Sequence, residues 1–473
     1  MQRNLVYRPF LLVFISFSLF SNTAKSEVKV SAASLTDKEI ITQIALGGWH
    51  SAAVSESGQF YTWGYNGNGQ LGDDTGSNRN VPLSISGHLD LNAGETIAQT
   101  SFGYNHSSIL TSNSRLLTWG RNDYGQLGDN TVVAKSSPVD ITSQFGLLSG
   151  ETIAQISLGS NHSSALTSTN RLFIWGYNGS GQIGNNSTTN CVIPTDITSY
   201  FNLNVGESIE KVVLGEFHSS AFTSTNRVFF WGMNTIGQLG DGTTTNRPVP
   251  TDITSNLNLH VGESIVDLSL GTGDSSILTS ESRVFTWGMN INGQLGDGTT
   301  IGKLVPTEIT SNFNLDSGEK ITKIILRGGS SSAFTSASRV FTWGENTYGQ
   351  LGDGTILSKA SPLDITSKFV LVSGETIADV ALGFGHSALL TSDGRLFMWG
   401  RNTYGQLGNG VETDVNTPTL LEIVPSSNDV DTPTNANWAW WFLLLLIIPI
   451  GYFVYRYRKN IARIFKKKDN LKQ

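Results

Sequence analysis

The residues best suited to chemistry stand in columns that repeat along the chain. A Leu-Gly-x-x-His-Ser element places histidine at five equivalent positions: His50, His106, His162, His218 and His386. Imidazoles can act as general bases or metal ligands. A catalytic group is needed once, however, and equivalent positions on neighbouring units form a wide ring. We therefore expect each histidine to hydrogen-bond the turn of its own unit, with Asp274 and Ser330 as polar substitutes in the two remaining copies.

An acidic column beside glycine-rich turns raises the alternative of calcium binding. Its members are Asp73, Asp129, Asp241, Asp297 and Asp353. The spacing lacks the alternating ligands and closing Glu of a calcium loop, so we expect these carboxylates to bond their own backbone as Asx-type turns. Cys191 is the only cysteine, which excludes a cysteine-clustered zinc site. The sequence predicts no catalytic residue, metal or cofactor.

Tryptophan forms the most regular column, in Trp-Gly pairs exactly one period apart. Its members are Trp63, Trp119, Trp175, Trp231, Trp287, Trp343 and Trp399, with 56 residues between neighbours. A Gly-Gln-Leu/Ile-Gly element keeps the same step from Gln70 to Gln406. Although aromatic rings can stack on sugars or cations, a ring of wedge-shaped units needs one large side chain per interface. We expect the tryptophans to be structural.

Seven copies of one unit predict a repeat architecture across residues 39–424. Each copy reads as four short strands separated by Gly-rich turns, without sustained helical periodicity. This pattern predicts an all-β, seven-bladed β-propeller of four-stranded blades, with an open β-solenoid as the alternative. The first copy has no preceding Pro-x-Asp-Ile-Thr strand, and residues 418–423 form such a strand with no copy after it. We therefore expect the ring to close by pairing of the N- and C-terminal strands.

The two ends differ from the repeats. Residues 1–26 carry Arg3 and Arg8, an apolar run and a small-x-small site, which predicts a secretory signal peptide. Residues 438–455 are uncharged and flanked by aromatic residues, which predicts a transmembrane helix. Residues 425–437 read as a flexible stalk and residues 456–473 as a basic tail, cytoplasmic by the positive-inside rule. We expect a single-pass membrane protein with an extracytoplasmic body, unless the C-terminal segment is a sorting signal that is cut.

The charge of the body excludes one class of partner. Residues 27–437 contain 20 Lys and Arg against 37 Asp and Glu, a net charge of about −17 without a basic block. Such a surface repels phosphate backbones. The sequence therefore predicts no nucleic-acid binding.

The combined motif resembles the repeat of the regulator of chromosome condensation family. The Leu-Gly-x-x-His-Ser, Trp-Gly-x-Asn and Gly-Gln-Leu-Gly-Asp-Gly-Thr elements carry the resemblance over residues 39–424. It implies a seven-bladed propeller, and it raises nucleotide exchange on a small GTPase and chromatin binding as activities. The similar lengths of all inter-blade linkers leave no inserted wedge of the kind an exchange factor could push into a GTPase.

Function should lie where the copies differ, because the shared columns explain the scaffold. Strand order predicts that the His turns and the Trp-Gly loops share one variable face, rich in hot-spot side chains. We expect exposed partner-binding tips at Trp49, Tyr65, Tyr104, Arg121, Tyr124, Tyr177, Phe217, Met233, Ile236, Met289, Ile291, Arg327, Tyr348, Phe384, Arg401 and Tyr404.

These tips predict an interaction module that binds a protein, with a glycan as the less favoured ligand. The competing hypotheses are the exchange activity implied by the resemblance and a hydrolase or lyase that uses carboxylates at the central funnel.

Overall fold

The computed structural model describes residues 38–425, which form seven antiparallel sheets of four strands each. The predicted all-β, seven-bladed propeller is confirmed. The strands of blades 1–4 are Ile41–Leu46, His50–Ser55, Phe60–Gly64 and Arg79–Ser84 (β1–β4), Ile97–Phe102, His106–Thr111, Leu116–Gly120 and Lys135–Asp140 (β5–β8), Ile153–Leu158, His162–Thr167, Leu172–Gly176 and Cys191–Asp196 (β9–β12), and Ile209–Leu214, His218–Thr223, Val228–Gly232 and Arg247–Asp252 (β13–β16). Those of blades 5–7 are Ile265–Leu270, Asp274–Thr279, Val284–Gly288 and Lys303–Glu308 (β17–β20), Ile321–Arg327, Ser330–Thr335, Val340–Gly344 and Lys359–Asp364 (β21–β24), and Ile377–Leu382, His386–Thr391, Leu396–Gly400 and Val415–Leu421 (β25–β28).

Burial within a blade follows from its position between two neighbours. The first strands of all seven blades line the central channel. The second strands are buried along almost their whole length, and the third strands along all of it, as in β10 and β11. Strands covered on both faces read as continuous apolar or small-residue runs, because neither face meets water. The fourth strand of each blade lies at the outside and is half-buried or exposed along most of its length.

Short 3₁₀ turns connect consecutive blades and contribute to the interface. They are Ser86–His88, Thr142–Phe145, Thr198–Phe201, Thr254–Leu257, Thr310–Phe313 and Thr366–Lys368. The turn after blade 3 shows their role, since Phe201 packs edge-on against Trp231 of blade 4 with ring centroids 5.4 Å apart. Each connection therefore carries an apolar anchor into the next blade.

The predicted closure by strand exchange is wrong. The last strand β28 pairs with β27 of its own blade, and blade 1 contains β4 as its own fourth strand. Seven copies supply all 28 strands, so no blade is left incomplete. The two ends of residues 38–425 meet through a backbone hydrogen bond from Glu39 N–H to Ile423 O (2.9 Å), and Ile423 is buried against blade 1.

The ring nevertheless closes, because the blade 7–blade 1 interface repeats the interfaces found elsewhere. The Trp63 indole N–H and the Ser51 hydroxyl both donate to Gln406 O, at 2.9 and 2.8 Å. This closure excludes the open solenoid.

Within residues 38–425 no helix is long and apolar enough to cross a membrane. The predicted signal peptide and transmembrane helix lie outside the described residues.

Candidate functional site

The repeated Trp, Gln and Ser columns form one junction that recurs at every blade interface. Between blades 2 and 3, Gln126 O accepts hydrogen bonds from Trp175 Nε1 (3.0 Å) and Ser163 Oγ (2.8 Å). All seven tryptophans are at most 1% exposed. The structural role predicted for the tryptophans is confirmed, and they are unavailable to a ligand.

The histidines connect neighbouring blades, which corrects the predicted bond to their own turns. His162 Nε2 lies 3.0 Å from Ser219 Oγ of the next blade, and the same pairing occurs at five interfaces. The partner serine is 57 residues ahead in sequence in four of these pairs, and the fifth spans the ring closure. Burial lowers the pKa of His162 to about 3, so this imidazole is neutral near pH 7 and inaccessible as a base.

The two copies without histidine do bond within their own turns. Asp274 Oδ1 is 3.4 Å from the Gly273 amide, and Ser330 Oγ donates to Arg327 O at 3.1 Å. Asp274 is fully buried, and its Oδ2 has no hydrogen-bond partner in the described part of the chain. Burial raises the pKa of this carboxyl to about 7.

The loss of histidine in blade 6 makes room for Arg327. Other blades have glycine at this position, and a Cβ on Gly47 would lie 2.1 Å from His50 Cε1. We call the opening of the central channel on the side of the His turns the funnel. With Ser330 in place of histidine, Arg327 extends into this funnel and donates from Nη2 to Phe102 O in blade 2 (2.7 Å). The two changes in blade 6 therefore depend on each other: the long side chain of Arg327 fits only because Ser330 is smaller than the histidine of other blades.

The acidic column forms the Asx turns that the sequence predicts. Asp129 Oδ1 accepts from the Thr131 amide at 3.0 Å and from its hydroxyl at 2.7 Å. Sequence reasoning missed a second acidic column on the opposite side of the ring. Glu151 typifies it: Arg171 pairs with this carboxylate at 2.9 Å, and its pKa is lowered to about 2 even though burial alone would raise it. The Gly-Glu-Thr/Ser repeat at the 56-residue step was the available signal.

One group of possible metal ligands occurs within residues 38–425, on that opposite side. The ligand atoms of His260, Glu263 and Glu281 lie within 4.8 Å of one another. Arg283 Nη1 is 2.8 Å from Glu263 and already neutralises that carboxylate. The group is therefore explained as an ion-pair network.

The turn after the first strand and the loop after the third strand of each blade share one side of the ring, which we call the loop face. Fifteen of the sixteen predicted partner-binding residues lie in these segments, and Arg327 is the last residue of β21, directly before its turn. Only Ile236 and Ile291 are exposed, at 41% and 71%, while the other fourteen are half-buried. The expected exposure is therefore wrong for most of these tips, because tips of adjacent blades pack on one another around the funnel, while their predicted role in partner binding stays a prediction.

Seven of these residues contact one another across four blades. We call this group the aromatic cluster, and it comprises Trp49, Tyr65, Tyr104, Tyr348, Phe384, Arg401 and Tyr404.

Trp49 is at the centre of the cluster, with ring centroids 5.0 Å from Tyr104 and 5.4 Å from Tyr404. The Arg401 guanidinium lies 4.5 Å from the Tyr348 ring and 5.4 Å from the Trp49 ring. The cluster borders a cleft of about 170 Å³. A preformed, half-buried array of Trp, Tyr and Arg has the composition of a binding hot spot.

The remaining predicted residues do not all join the cluster. Arg121, Tyr124, Tyr177 and Phe217 form a second row of ring contacts over blades 2–4. Met233, Ile236, Met289 and Ile291 belong to blades 4 and 5 and make no ring contact with either group among those described.

The funnel leads to a central cavity of about 310 Å³ lined by the first strands of all blades. Near the loop face, Glu216, Arg327 and Phe384 line a much smaller space of about 20 Å³. Burial raises the pKa of Glu216 to about 7 and lowers that of Arg327 to about 10. A space of this size holds about one water molecule, so it does not admit a substrate.

Comparison with known proteins identifies the family. The profile described as RCC1-like domain matches residues 20–325, and that of the regulator of chromosome condensation (RCC1) repeat matches residues 338–390 and 393–431. The chain belongs to the RCC1-like domain family. The RCC1-type repeat thus accounts for the Trp, Gln, Ser and His columns as the parts that build the blade junction.

Among RCC1-like relatives, the Ultraviolet-B receptor UVR8 of Arabidopsis thaliana is 28% identical over 405 residues, covering 84% of this chain and 87% of that protein. The crystal structure of human WBSCR16 superposes with a TM-score of 0.66 at 23% identity, covering 78% of this chain and 94% of the other. Prp20p from Saccharomyces cerevisiae, described with its binding properties to Gsp1p and histones, gives a TM-score of 0.64 at 20% identity, covering 77% and 86%. These two structures share the fold of the RCC1-like chain. The relatives fit an interaction or regulatory module.

Proposed function

We propose that this chain is a protein-binding module that recognises its partner through the aromatic cluster on the loop face. The observation that carries the proposal is the convergence of side chains that differ between copies into one preformed surface. The shared columns are consumed in blade junctions, whereas Trp49, Tyr348 and Arg401 make no junction bond within the described residues. Rigid aromatic anchors lose little conformational entropy on binding, which favours a protein interface.

A protein partner is favoured over a glycan by the family. The relative Prp20p has binding properties to Gsp1p and histones, and we extend only the class of partner to this chain. A glycan that stacks on Trp49 remains a separate outcome of the capture experiment below.

The proposal treats the chain as a non-enzyme. Two carboxyl groups near the funnel, Glu216 and Asp274, have pKa values that burial raises to about 7. Asp267 and Asp379 line the central cavity, where each is ion-paired with a lysine. Asp274 is 0% exposed, and the space beside Glu216 is about 20 Å³, which disfavours access of a substrate. Exchange activity finds no support either, since no blade carries an inserted wedge and the loops after the third strand keep one length.

Replacing both Tyr348 and Tyr404 with Ala is expected to abolish partner capture while the ring stays folded. Both rings are half-buried on the loop face, and aromatic pairs contribute about 0.5–1.5 kcal/mol each, so the loss of stability should stay near 1–2 kcal/mol. The measurement is chemical crosslinking and pull-down with the full chain, followed by mass spectrometry, with thermal unfolding in parallel.

Tyr200→Ala is the matched control, because Tyr200 is 38% exposed in the 3₁₀ turn Thr198–Phe201, away from the cluster. Unchanged capture by the double variant would exclude this surface. A large drop in melting temperature would show that the two rings are core residues.

We also propose that the body is exported and held at a membrane by residues 438–455. The support is the uncharged run of these residues followed by the basic stretch 456–473. In fractionated cells, the full chain should remain in the membrane pellet after carbonate washing, whereas a chain ending at Pro425 should be released. A full chain found in the carbonate supernatant would contradict the anchor.

A further inference from the structure

Three arginines face the funnel from the loop face, and only Arg121 forms an ion pair with a carboxylate. Glu216 lines the same small space as Arg327 and acts on it electrostatically, without forming an ion pair. Arg121 pairs with Asp123 at 2.8 Å. Arg327 and Arg401 have no carboxylate oxygen within 4 Å among residues 38–425. Their only direct side-chain hydrogen bonds run to Phe102 O and to Thr403 Oγ1. Two half-buried guanidinium groups thus keep most of their donors unused.

This shortage of acidic partners is notable in a body with a net charge of about −17. Elsewhere on the ring, arginines such as Arg171 and Arg227 each bind two carboxylates. A half-buried guanidinium left without an anion has lost hydration that contacts with aromatic rings replace only in part. Free arginine donors at a partner surface therefore complement an anionic group.

The cleft beside Arg401 offers a second donor. Trp49 lines this cleft together with Tyr104, Tyr348, Phe384 and Arg401. The Trp49 Nε1 atom is buried and has no hydrogen-bond partner in the described structure. An indole nitrogen is a donor only, so it requires an acceptor, and the guanidinium lies 5.4 Å from the same ring.

We propose that this cleft receives a carboxylate side chain from an acidic segment of the partner protein, bound by the Arg401 guanidinium and the Trp49 indole N–H. The inference rests on the proposed function and specifies the chemistry of the partner. Arg401 supplies planar paired donors that match a carboxylate. Arg327, deeper in the funnel, extends the positive potential along the axis.

Glu345 sets the charge balance of the cleft. This residue lines the same cleft, and a negative charge there opposes a bound carboxylate. Removing the charge of Glu345 should therefore strengthen binding of a carboxylate. If the cleft instead accepted a cation within its aromatic walls, the same change would weaken binding of that cation.

The test is fluorescence anisotropy of the full chain with a labelled ten-residue Asp/Glu peptide, compared with an Asn/Gln peptide of equal length. We expect the acidic probe to bind, Arg401→Gln to weaken its Kd about tenfold, and Glu345→Gln to tighten it. Trp49→Phe, which keeps a ring and removes the N–H, should weaken it a few-fold. Arg121→Gln is the matched control on the same face, and its effect should stay below about twofold because Arg121 already has Asp123.

Each alternative result has a distinct meaning. If Arg401→Gln binds the acidic probe as tightly as the unaltered chain, the inference is overturned. Binding of the probe to the basic residues 456–473 would give this result. A ten-residue Lys peptide that binds where the acidic probe does not, and whose binding weakens in Glu345→Gln and tightens in Arg401→Gln, would overturn the inference and assign the cleft to a cation. If the acidic probe fails to bind while partner capture still depends on Tyr348 and Tyr404, the carboxylate site falls and the proposed function stands.

Discussion

A chain that ends at Asp414 is expected to lose the cooperative folding of the whole ring. This truncation removes β28, the outer strand of blade 7, and with it the buried side chains of Leu421 and Ile423. Loss of one buried Leu or Ile side chain alone costs about 2–5 kcal/mol, and a domain has only about 5–15 kcal/mol in total. Blade 7 would also lose the contact that joins the two ends, from Glu39 N–H to Ile423 O.

The measurement is thermal unfolding, monitored by circular dichroism and by the near-ultraviolet signal of the tryptophans. The control is a chain ending at Pro425, which retains every described contact of β28 and Ile423. We expect the control to melt cooperatively and the shorter chain to show a broad transition or none. Equal melting temperatures for the two chains would mean that the ring does not depend on its seventh blade being complete.

Two single substitutions in the histidine column, Asp274→His in blade 5 and His218→Asp in blade 4, are expected to change the free energy of unfolding in opposite directions. The size of each change should depend on pH. The folded-state pKa of Asp274 is about 7, above its ordinary value of 3.8. The folded state therefore binds this proton more tightly than the unfolded state. Stability is highest below pH 4 for this group, falls as pH rises through 7, and stays low above that.

Asp274→His should therefore stabilise the ring by about 2 kcal/mol at pH 8, because it removes a buried charge and can provide a hydrogen bond to the next blade. The two sites are similarly tight, so a histidine at position 274 should fit as His218 does. A Cβ on Gly271 would lie 2.5 Å from Asp274 Oδ1, and a Cβ on Gly215 would lie 2.6 Å from His218 Cε1. The gain should shrink towards pH 5. Burial lowers the folded-state pKa of His218 to about 3, below its ordinary value of 6.5, so stability from a buried neutral histidine is lost as pH falls from 6.5.

The reciprocal variant His218→Asp is the control, and denaturant unfolding at pH 5 and pH 8 is the measurement. It should lose more stability at pH 8 than at pH 5, because a second carboxyl would be buried without a partner. If both variants changed stability equally at the two pH values, the charge of the column would not be the cause.

These expected outcomes rest on features of the fold that could be predicted from the sequence to different degrees. The 56-residue step of Trp63 and Gln70 predicted seven blades, because a repeat that cannot bury its own faces must stack on its neighbours. The Asx turns at Asp129 were predictable because their hydrogen bonds reach only two residues along the chain. The closure of the repeat array was predicted wrongly, because residues 418–423 resemble a spare strand, whereas blade 1 already contains β4 as its fourth strand.

The candidate site depended more on the tertiary structure. The sequence placed Trp49, Tyr348 and Arg401 on one face from strand order alone. It could not reveal that their side chains touch, because blades 1, 6 and 7 meet only when the ring closes. For the same reason it missed the unpaired donors of Trp49 and Arg401 and the raised pKa of Glu216, which depend on burial by several blades.

By itself, the sequence determined the type, number and order of the strands, since periodic burial and turn chemistry act over a few residues. Only the folded ring decided the partners of the long-range contacts. His162 bonds a serine 57 residues away, and Arg327 reaches a carbonyl 225 residues away, in blade 2. The first contact depends on how neighbouring blades pack. The second depends also on the small side chain at Ser330, which leaves room for Arg327 where a histidine would crowd it.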